Sequence, residues 1–201
     1  MREKRLLTAV QVQQILAAVS DSTRFMILIA MAIGLRISEV CGLQWRDIDF
    51  AAGTLTVARR WYRGDLDVPK TEASKRVRQL GPLVDDFRRR YPGPQARESY
   101  VFVGDDERTP PDERDILRYE LRPVLRRLKL YYSGFGWHAF RRQNVTWRQT
   151  VGGATPIEAQ KAAGHTSLDM TMLYTQTDAE REKQQVQAIM DQLTGLAGPV
   201  Q

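Results

Sequence analysis

Apolar residues along this chain fall into stretches of helical period and stretches of alternating period. Val12, Ile15, Leu16 and Val19 make a stripe at helical spacing, and Thr8 with Gln11 three residues on forms a capping-box start. From Ser22 to Ile33 nearly every residue after Arg24 is apolar, which predicts a central buried helix stopped by Gly34. A short helix bearing Ile37, Val40 and Cys41 follows. The period then changes. Ile48-Asp49-Phe50, Thr54-Leu55-Thr56-Val57 and Arg76-Val77-Arg78-Gln79-Leu80 read as short strands, with Ala52-Gly53 as a tight turn. A polar loop from Arg63 to Lys75 is expected between the last two. Helices return at 82–91 and 112–129, the second kinked or split at Pro123. Pro92-Gly93-Pro94 and Thr109-Pro110-Pro111 are loops. A helix from about Ala139 to Val151 ends at Gly152-Gly153, and Thr155-Pro156-Ile157-Glu158 opens another that stops at Gly164. The last helix starts near Asp178 and shows Val186, Ile189, Met190 and Leu193 on one face, a stripe that must pack on something. The fold class predicted is mainly α with a small antiparallel β-sheet (α+β).

Composition narrows the partner rather than the fold. At 201 residues the chain suits one domain with a real core. Its net charge of +6 and pI near 9.7 point to a polyanion. Arginine dominates the basic clusters, at Arg59-Arg60, Arg88-Arg89-Arg90, Arg126-Arg127 and Arg141-Arg142, which leans toward nucleic acid, although any one of them taken singly reads more readily as a solvated helix face. Cys41 is the only cysteine, so an internal disulfide and any multi-cysteine zinc site are excluded. No apolar run approaches bilayer-spanning length, and Met1-Arg2-Glu3-Lys4-Arg5 lacks the apolar core of a signal peptide, so a cytoplasmic protein is expected.

The chain has only two histidines. His138 and Arg141, three apart on a helix, share a face and can converge on one phosphate. Arginine offers a fork for two oxygens, while histidine donates a further bond or moves a proton. Arg36 sits where the buried apolar helix ends, and Glu39 one turn on could hold it by a bidentate pair; a purely structural ion pair is the alternative. His165 follows Gly164 and precedes Tyr174 by nine positions. If the helix breaks after His165 and restarts at Thr166-Ser167, both can face one cleft; otherwise Tyr174 is a core tyrosine.

Together these tracts resemble the tyrosine recombinase (phage integrase) family. Gly34-Leu35-Arg36-Ile37-Ser38-Glu39-Val40 resembles its first signature. His138-x-x-Arg141, with Gly164-His165 followed by Tyr174-Thr175, resembles the second, and order and spacing match from about Leu7 to the end of the last helix. Pro69-Lys70-Thr71 resembles the family's lysine turn, so Lys70 is preferred over Lys75. The chain departs from the pattern at Ala163, where leucine usually precedes Gly-His, at Arg142, where histidine is common, and at Trp137.

The resemblance implies that the Tyr174 phenol attacks a DNA phosphate, leaving a 3′-phosphotyrosine. Arg36, Arg141, His138 and His165 would surround the phosphate, Lys70 would serve as general acid, and Glu39 would orient. Arg142, Lys75 and Arg76 are expected DNA contacts. Neither metal nor cofactor is implied. The expected partner is double-stranded DNA, with self-association as a tetramer in a synaptic complex through the C-terminal helix, and a nucleoid location when bound. Residues 1–201 read as one catalytic domain, with 1–6 a linker remnant, 178–201 a tail helix open to exchange between subunits, and the N-terminal core-binding clamp absent. Weak, salt-sensitive DNA binding would follow. Deletion from Asp178 onward is expected to weaken assembly more than cleavage. Three rivals stand beside this reading. A type IB topoisomerase-like nicking and religating enzyme shares the chemistry; an inactive DNA-binding relative has no need of Tyr174; a metal-dependent nuclease would need carboxylates clustered near a histidine.

Overall fold

The computed structural model describes residues 5–67, 76–155, 157–158 and 179–195. The first helix, α1 (Ala9–Ala18), starts as its sequence requires: Gln11 N–H donates to Thr8 Oγ1 at 3.2 Å, and Thr8 N–H donates to Gln11 Oε1 at 2.9 Å. Val12, Ile15, Leu16 and Val19 all point inward. The second, α2 (Asp21–Ala32), is capped by Ser20 and is almost wholly buried from Phe25 onward. Gly34 ends it in the left-handed region at φ +83°, and the chain turns directly into α3 (Ile37–Cys41).

The sheet follows the alternating tracts. Strands β1 (Ile48–Asp49), β2 (Thr54–Val57) and β5 (Arg76–Gln79) form a three-stranded antiparallel sheet in the order β1-β2-β5, with Leu55 opposite both Ile48 and Arg78. The polar loop expected between β2 and β5 is instead partly ordered as a hairpin. Strands β3 (Arg60–Tyr62) and β4 (Asp65–Asp67) pair antiparallel around Arg63 (φ 54°) and Gly64 (φ 83°). Two consecutive positive φ values are the signature of a tight turn whose twist matches the strands. The hairpin leans on the end of α3, where a Cβ on Gly42 would lie 3.1 Å from the Arg60 Cα. Beneath it, the buried Arg59 guanidinium pairs with Asp47, whose Oδ2 also accepts from Gln44 N–H at 2.8 Å.

Helix α4 (Leu83–Arg90) carries Phe87 into an aromatic cluster with Phe25 (ring centroids 4.8 Å apart) and Trp45 (6.3 Å). Its arginines are tied to carboxylates: Arg88 to Asp85, Arg89 to Asp86, and Arg90 to both Asp86 and Asp21. This cluster is a helix-surface network. The expected break near Pro123 is present as a π segment, Ile116–Leu121, between α5 (Glu113–Asp115) and α6 (Arg122–Arg127). Arg122 N–H bonds Leu117 O across the widened turn, which makes room for a proline ring that would otherwise collide with the preceding turn.

Helix α7 (His138–Thr150) crosses the end of α2 and closes through Gly152 N–H to Trp147 O at 3.0 Å, then Gly153 at φ +63°. Thr155 and Glu158 bond reciprocally, as expected of a helix start. The predicted stop at Gly164 lies outside the described residues.

The last helix, α8 (Ala179–Thr194), packs on α1, α2, α7 and β5 of its own chain. Val186 and Ile189 are fully buried, and Met190 and Leu193 nearly so. Each such side chain is worth about 1.5–3 kcal/mol, so together they rival the whole net stability of a domain. Gly81 is required beneath them, since a Cβ there would lie 2.8 Å from Val186 Cγ1. The helix, expected as a tail open to exchange between subunits, packs here on its own chain and fills part of its core. Among the described residues no helix is long and apolar enough to cross a membrane.

Candidate active site

The turn after α2 and the face of α7 bring the first and second signature tracts together. Arg36 caps α3, and its backbone N–H donates to Glu39 Oε2 at 2.9 Å while its guanidinium reaches Glu39 Oε1 at 3.0 Å. Arg76, entering from β5, donates to the same Oε1. Arg141 lies 3.8 Å from Glu39 Oε2 and donates to the Gly34 carbonyl. One carboxylate thus gathers three guanidinium groups from three elements. The expectation that Glu39 orients Arg36 agrees with this geometry. Arg76, expected as a DNA contact, is part of this cluster.

The three arginines differ in access. The Arg36 side chain is 42% exposed, that of Arg76 28% and that of Arg141 2%. Burial works to raise the Glu39 pKa, but Arg76, the Arg36 N–H and the charges of Arg36 and Arg141 outweigh it and hold it below the ordinary carboxylate value. For Arg141, burial disfavours the charged form, Arg36 adds repulsion and Glu39 opposes both. Its pKa is pushed down to about 10, which still leaves it cationic at neutral pH. Among the described residues, three guanidinium groups meet at one carboxylate, so the cluster carries net positive charge with fixed N–H donors. Such a cluster suits a phosphate gaining negative charge.

His138 opens α7 one turn before Arg141 and is exposed where Arg141 is buried. The two share a face of α7, as the spacing predicted. Trp137, which departs from the pattern, buries its indole and donates Nε1–H to the Glu113 carbonyl at 2.8 Å, anchoring the start of α7 to α5. Arg142 is half-buried and donates to the Tyr132 hydroxyl at 3.3 Å, which in turn reaches the Arg5 carbonyl. It is held toward the N-terminal segment and away from the Glu39 cluster. Lys70, Lys75, His165 and Tyr174 lie outside the described residues. Among the described residues no group of three or more His, Cys, Asp or Glu side chains could hold a metal ion.

Reading the sequence missed a second polar set on α7. Asn144 and Arg148 are both fully buried and point at the end of α2. The available signal was the spacing Arg141, Asn144, Arg148, which puts all three on one helical stripe.

The model of the phage integrase family matches residues 5–181. The chain belongs to that family. Tyrosine recombinase XerA of Thermococcus kodakarensis is 27% identical over 201 residues, covering 95% of this chain and 65% of the relative. This member of the phage integrase family thus spans about 65% of the length of that curated relative. Among solved structures, the Tn1549 transposon integrase in complex with circular intermediate DNA superposes with a TM-score of 0.69 at 21% identity, over 98% of this chain and 68% of that one. The integrase of mycobacterium phage Brujita gives 0.67 at 20% identity, over 100% of this chain and 62% of that one. At such identities the likeness speaks for the fold.

Proposed function

We propose that the chain is the catalytic domain of a site-specific DNA recombinase or integrase, acting through Tyr174. The phenolate oxygen attacks a backbone phosphorus of duplex DNA; the P–O5′ bond breaks and a 3′-phosphotyrosine forms. Lys70 gives a proton to the leaving 5′-oxygen, and His138 supports proton transfer at the phosphate or the tyrosine. His165 bonds a non-bridging oxygen. Arg36 and Arg141 stabilise the negative charge that builds up on the phosphorane, each worth about 2.7–4 kcal/mol by analogy with oxyanion-hole donors. A 5′-hydroxyl from another strand then attacks the phosphotyrosine, forming a new P–O bond and releasing Tyr174. The phosphodiester bond energy is kept in the covalent link, so no high-energy cofactor enters.

The observation that carries this reading is the Glu39-centred placement of Arg36 and Arg141, in a chain that keeps His138, His165 and Tyr174 at family spacing. The DNA partner follows from the same cluster and from the net charge. A tetramer on DNA, joined through the outer face of α8 or by its exchange, and a nucleoid location are part of the proposal.

The test is a pool of nicked duplexes of randomised sequence, incubated with the protein and run on a denaturing gel. A protein–DNA adduct that disappears in Tyr174→Phe is the expected result, and the duplexes recovered from it give the target. An adduct that persists in Tyr174→Phe overturns the assignment. Relaxation of supercoiled plasmid without exchange between two recovered sites would favour the topoisomerase-like rival.

A further inference from the structure

We infer that Asn144 and Arg148 are positioning residues for Arg36, acting from the interior by holding the carbonyl end of α2 on which the Gly34 turn and Arg36 are mounted. The inference rests on the recombinase reading above and adds two side chains to it.

A helix leaves its last carbonyls without partners, and its C-terminal end carries partial negative charge. In this chain one stripe of α7 meets those groups. Arg148 Nη2 donates to Ala32 O at 3.3 Å, Asn144 Nδ2 donates to Met31 O and to Ala32 O at 3.1 Å, and Arg141 Nη1 donates to Gly34 O. Asn144 also packs on the turn itself: a Cβ on Gly34 would come within 2.5 Å of Asn144 Oδ1. The register between α7 and the end of α2 is therefore fixed at bonding distance on both sides of the turn. Only Leu35 separates Gly34 from Arg36, whose own N–H is held by Glu39.

A fully buried arginine is costly, and apolar side chains of similar volume would pack the same space at least as stably. Arg148 is nonetheless engaged at two ends. Its other nitrogen, Nη1, donates to Gln185 Oε1 on α8 at 2.8 Å. Gln185 is buried too, and Gly152 lets α8 approach, since a Cβ there would meet Gln185 Cγ at 3.2 Å. The last helix thus orients Arg148, Arg148 with Asn144 holds the end of α2, and the end of α2 places Arg36. Catalytic groups tolerate little displacement, and about 1 Å of misplacement can cost roughly 100-fold in rate.

The test uses the full chain and a nicked duplex recovered from the randomised pool. Arg148→Met leaves Gln185 Oε1 unmet and Ala32 O with Asn144 as its remaining side-chain donor, so the decisive variant is Arg148→Met with Gln185→Leu, which removes the stranded acceptor and keeps the volume. The expected result is a melting temperature near that of the parent, DNA binding changed less than about threefold, and single-turnover cleavage slowed by about ten- to a hundred-fold. In an Arg36→Lys background the same pair of changes should cost no further rate, because the group they position is gone. Cleavage that recovers along with stability, or a loss that multiplies with Arg36→Lys, overturns the inference. Asn144→Ser, measured the same way, serves if the double variant fails to fold. The Arg36 Nε–Hε resonance in ¹⁵N-labelled protein needs no DNA and must shift in these variants; an unmoved resonance refutes the positioning role. Absence of any Tyr174-dependent adduct in the parent would instead sink the recombinase reading.

Discussion

Replacing Glu39 by glutamine tests whether the arginine cluster depends on one negative charge. The carboxylate is buried, with 8% of its side-chain surface exposed, and it accepts from the Arg36 N–H, the Arg36 guanidinium and Arg76 while lying 3.8 Å from Arg141. Hydrogen bonds to a charged group contribute about 1.5–3 kcal/mol each. The Arg36 guanidinium is 42% exposed, so water replaces much of its share and that contact counts for less than about 1 kcal/mol. The Arg76 contact and the loss of charge beside fully buried Arg141 are not so easily replaced. Glutamine keeps one acceptor but turns an amide toward a donor. The expected loss is about 3–4 kcal/mol, within the range for breaking one side of a buried pair, and roughly 10 °C in Tm for a chain of this size.

The pH dependence of that loss follows from the Glu39 titration. Its folded-state pKa is held below the ordinary glutamate value, so its contribution is present above the unfolded value and is lost as pH falls through the folded one. Urea denaturation at about pH 7, 5 and 3 should show a full gap between parent and Glu39→Gln at the first two and a closing gap at the last. A gap that does not vary with pH, or none at pH 7, would refute the account of the cluster.

Gly34→Ala should cost about 2–5 kcal/mol in chemical denaturation, combining the left-handed backbone with the collision at Asn144 Oδ1. Adding Asn144→Ala should remove the collision and leave the backbone cost of about 1–2 kcal/mol. Deleting residues from Ala179 onward should abolish cooperative unfolding by circular dichroism, and loss of assembly alone with an intact thermal transition would contradict the buried role of α8. Asp47→Ala should destabilise by about 3–5 kcal/mol by stranding buried Arg59, whereas Asp47→Leu with Arg59→Met should cost only about 1–3 kcal/mol by urea titration, the share of the Gln44 N–H left without its acceptor.

The helices could be read because their apolar residues repeat every three to four positions and their ends carry Thr8, Gly34 and Gly152-Gly153. The three-stranded sheet could be read because β2 alternates half-buried and buried residues. The β3–β4 hairpin was hidden because β4 is exposed along its length and offers no alternation to detect. Its one cue was Arg63-Gly64, a turn in which arginine occupies a position more often given to Asn or Asp. Arg36, Glu39, His138 and Arg141 were legible from motif spacing. The pairing of Arg76 with Glu39 was not, because the two lie 37 residues apart, on β5 and α3. Asn144 and Arg148 were passed over for the same reason: their spacing aligns them with Arg141, but what makes their burial tolerable is the carbonyl end of another helix.

The meeting of the first and last helices has a consequence for how the protein is made. Gly195 lies beside Gln13, so the docking of α8 on α1 closes a contact of very long sequence separation. Closures of that range form late, and until this one does, a nascent chain shows the apolar wall of α1 and α2 to chaperones. Arg148 meanwhile waits for Gln185. A chain whose α8 has yet to dock therefore lacks the contact that orients Arg148 beneath the Arg36 turn.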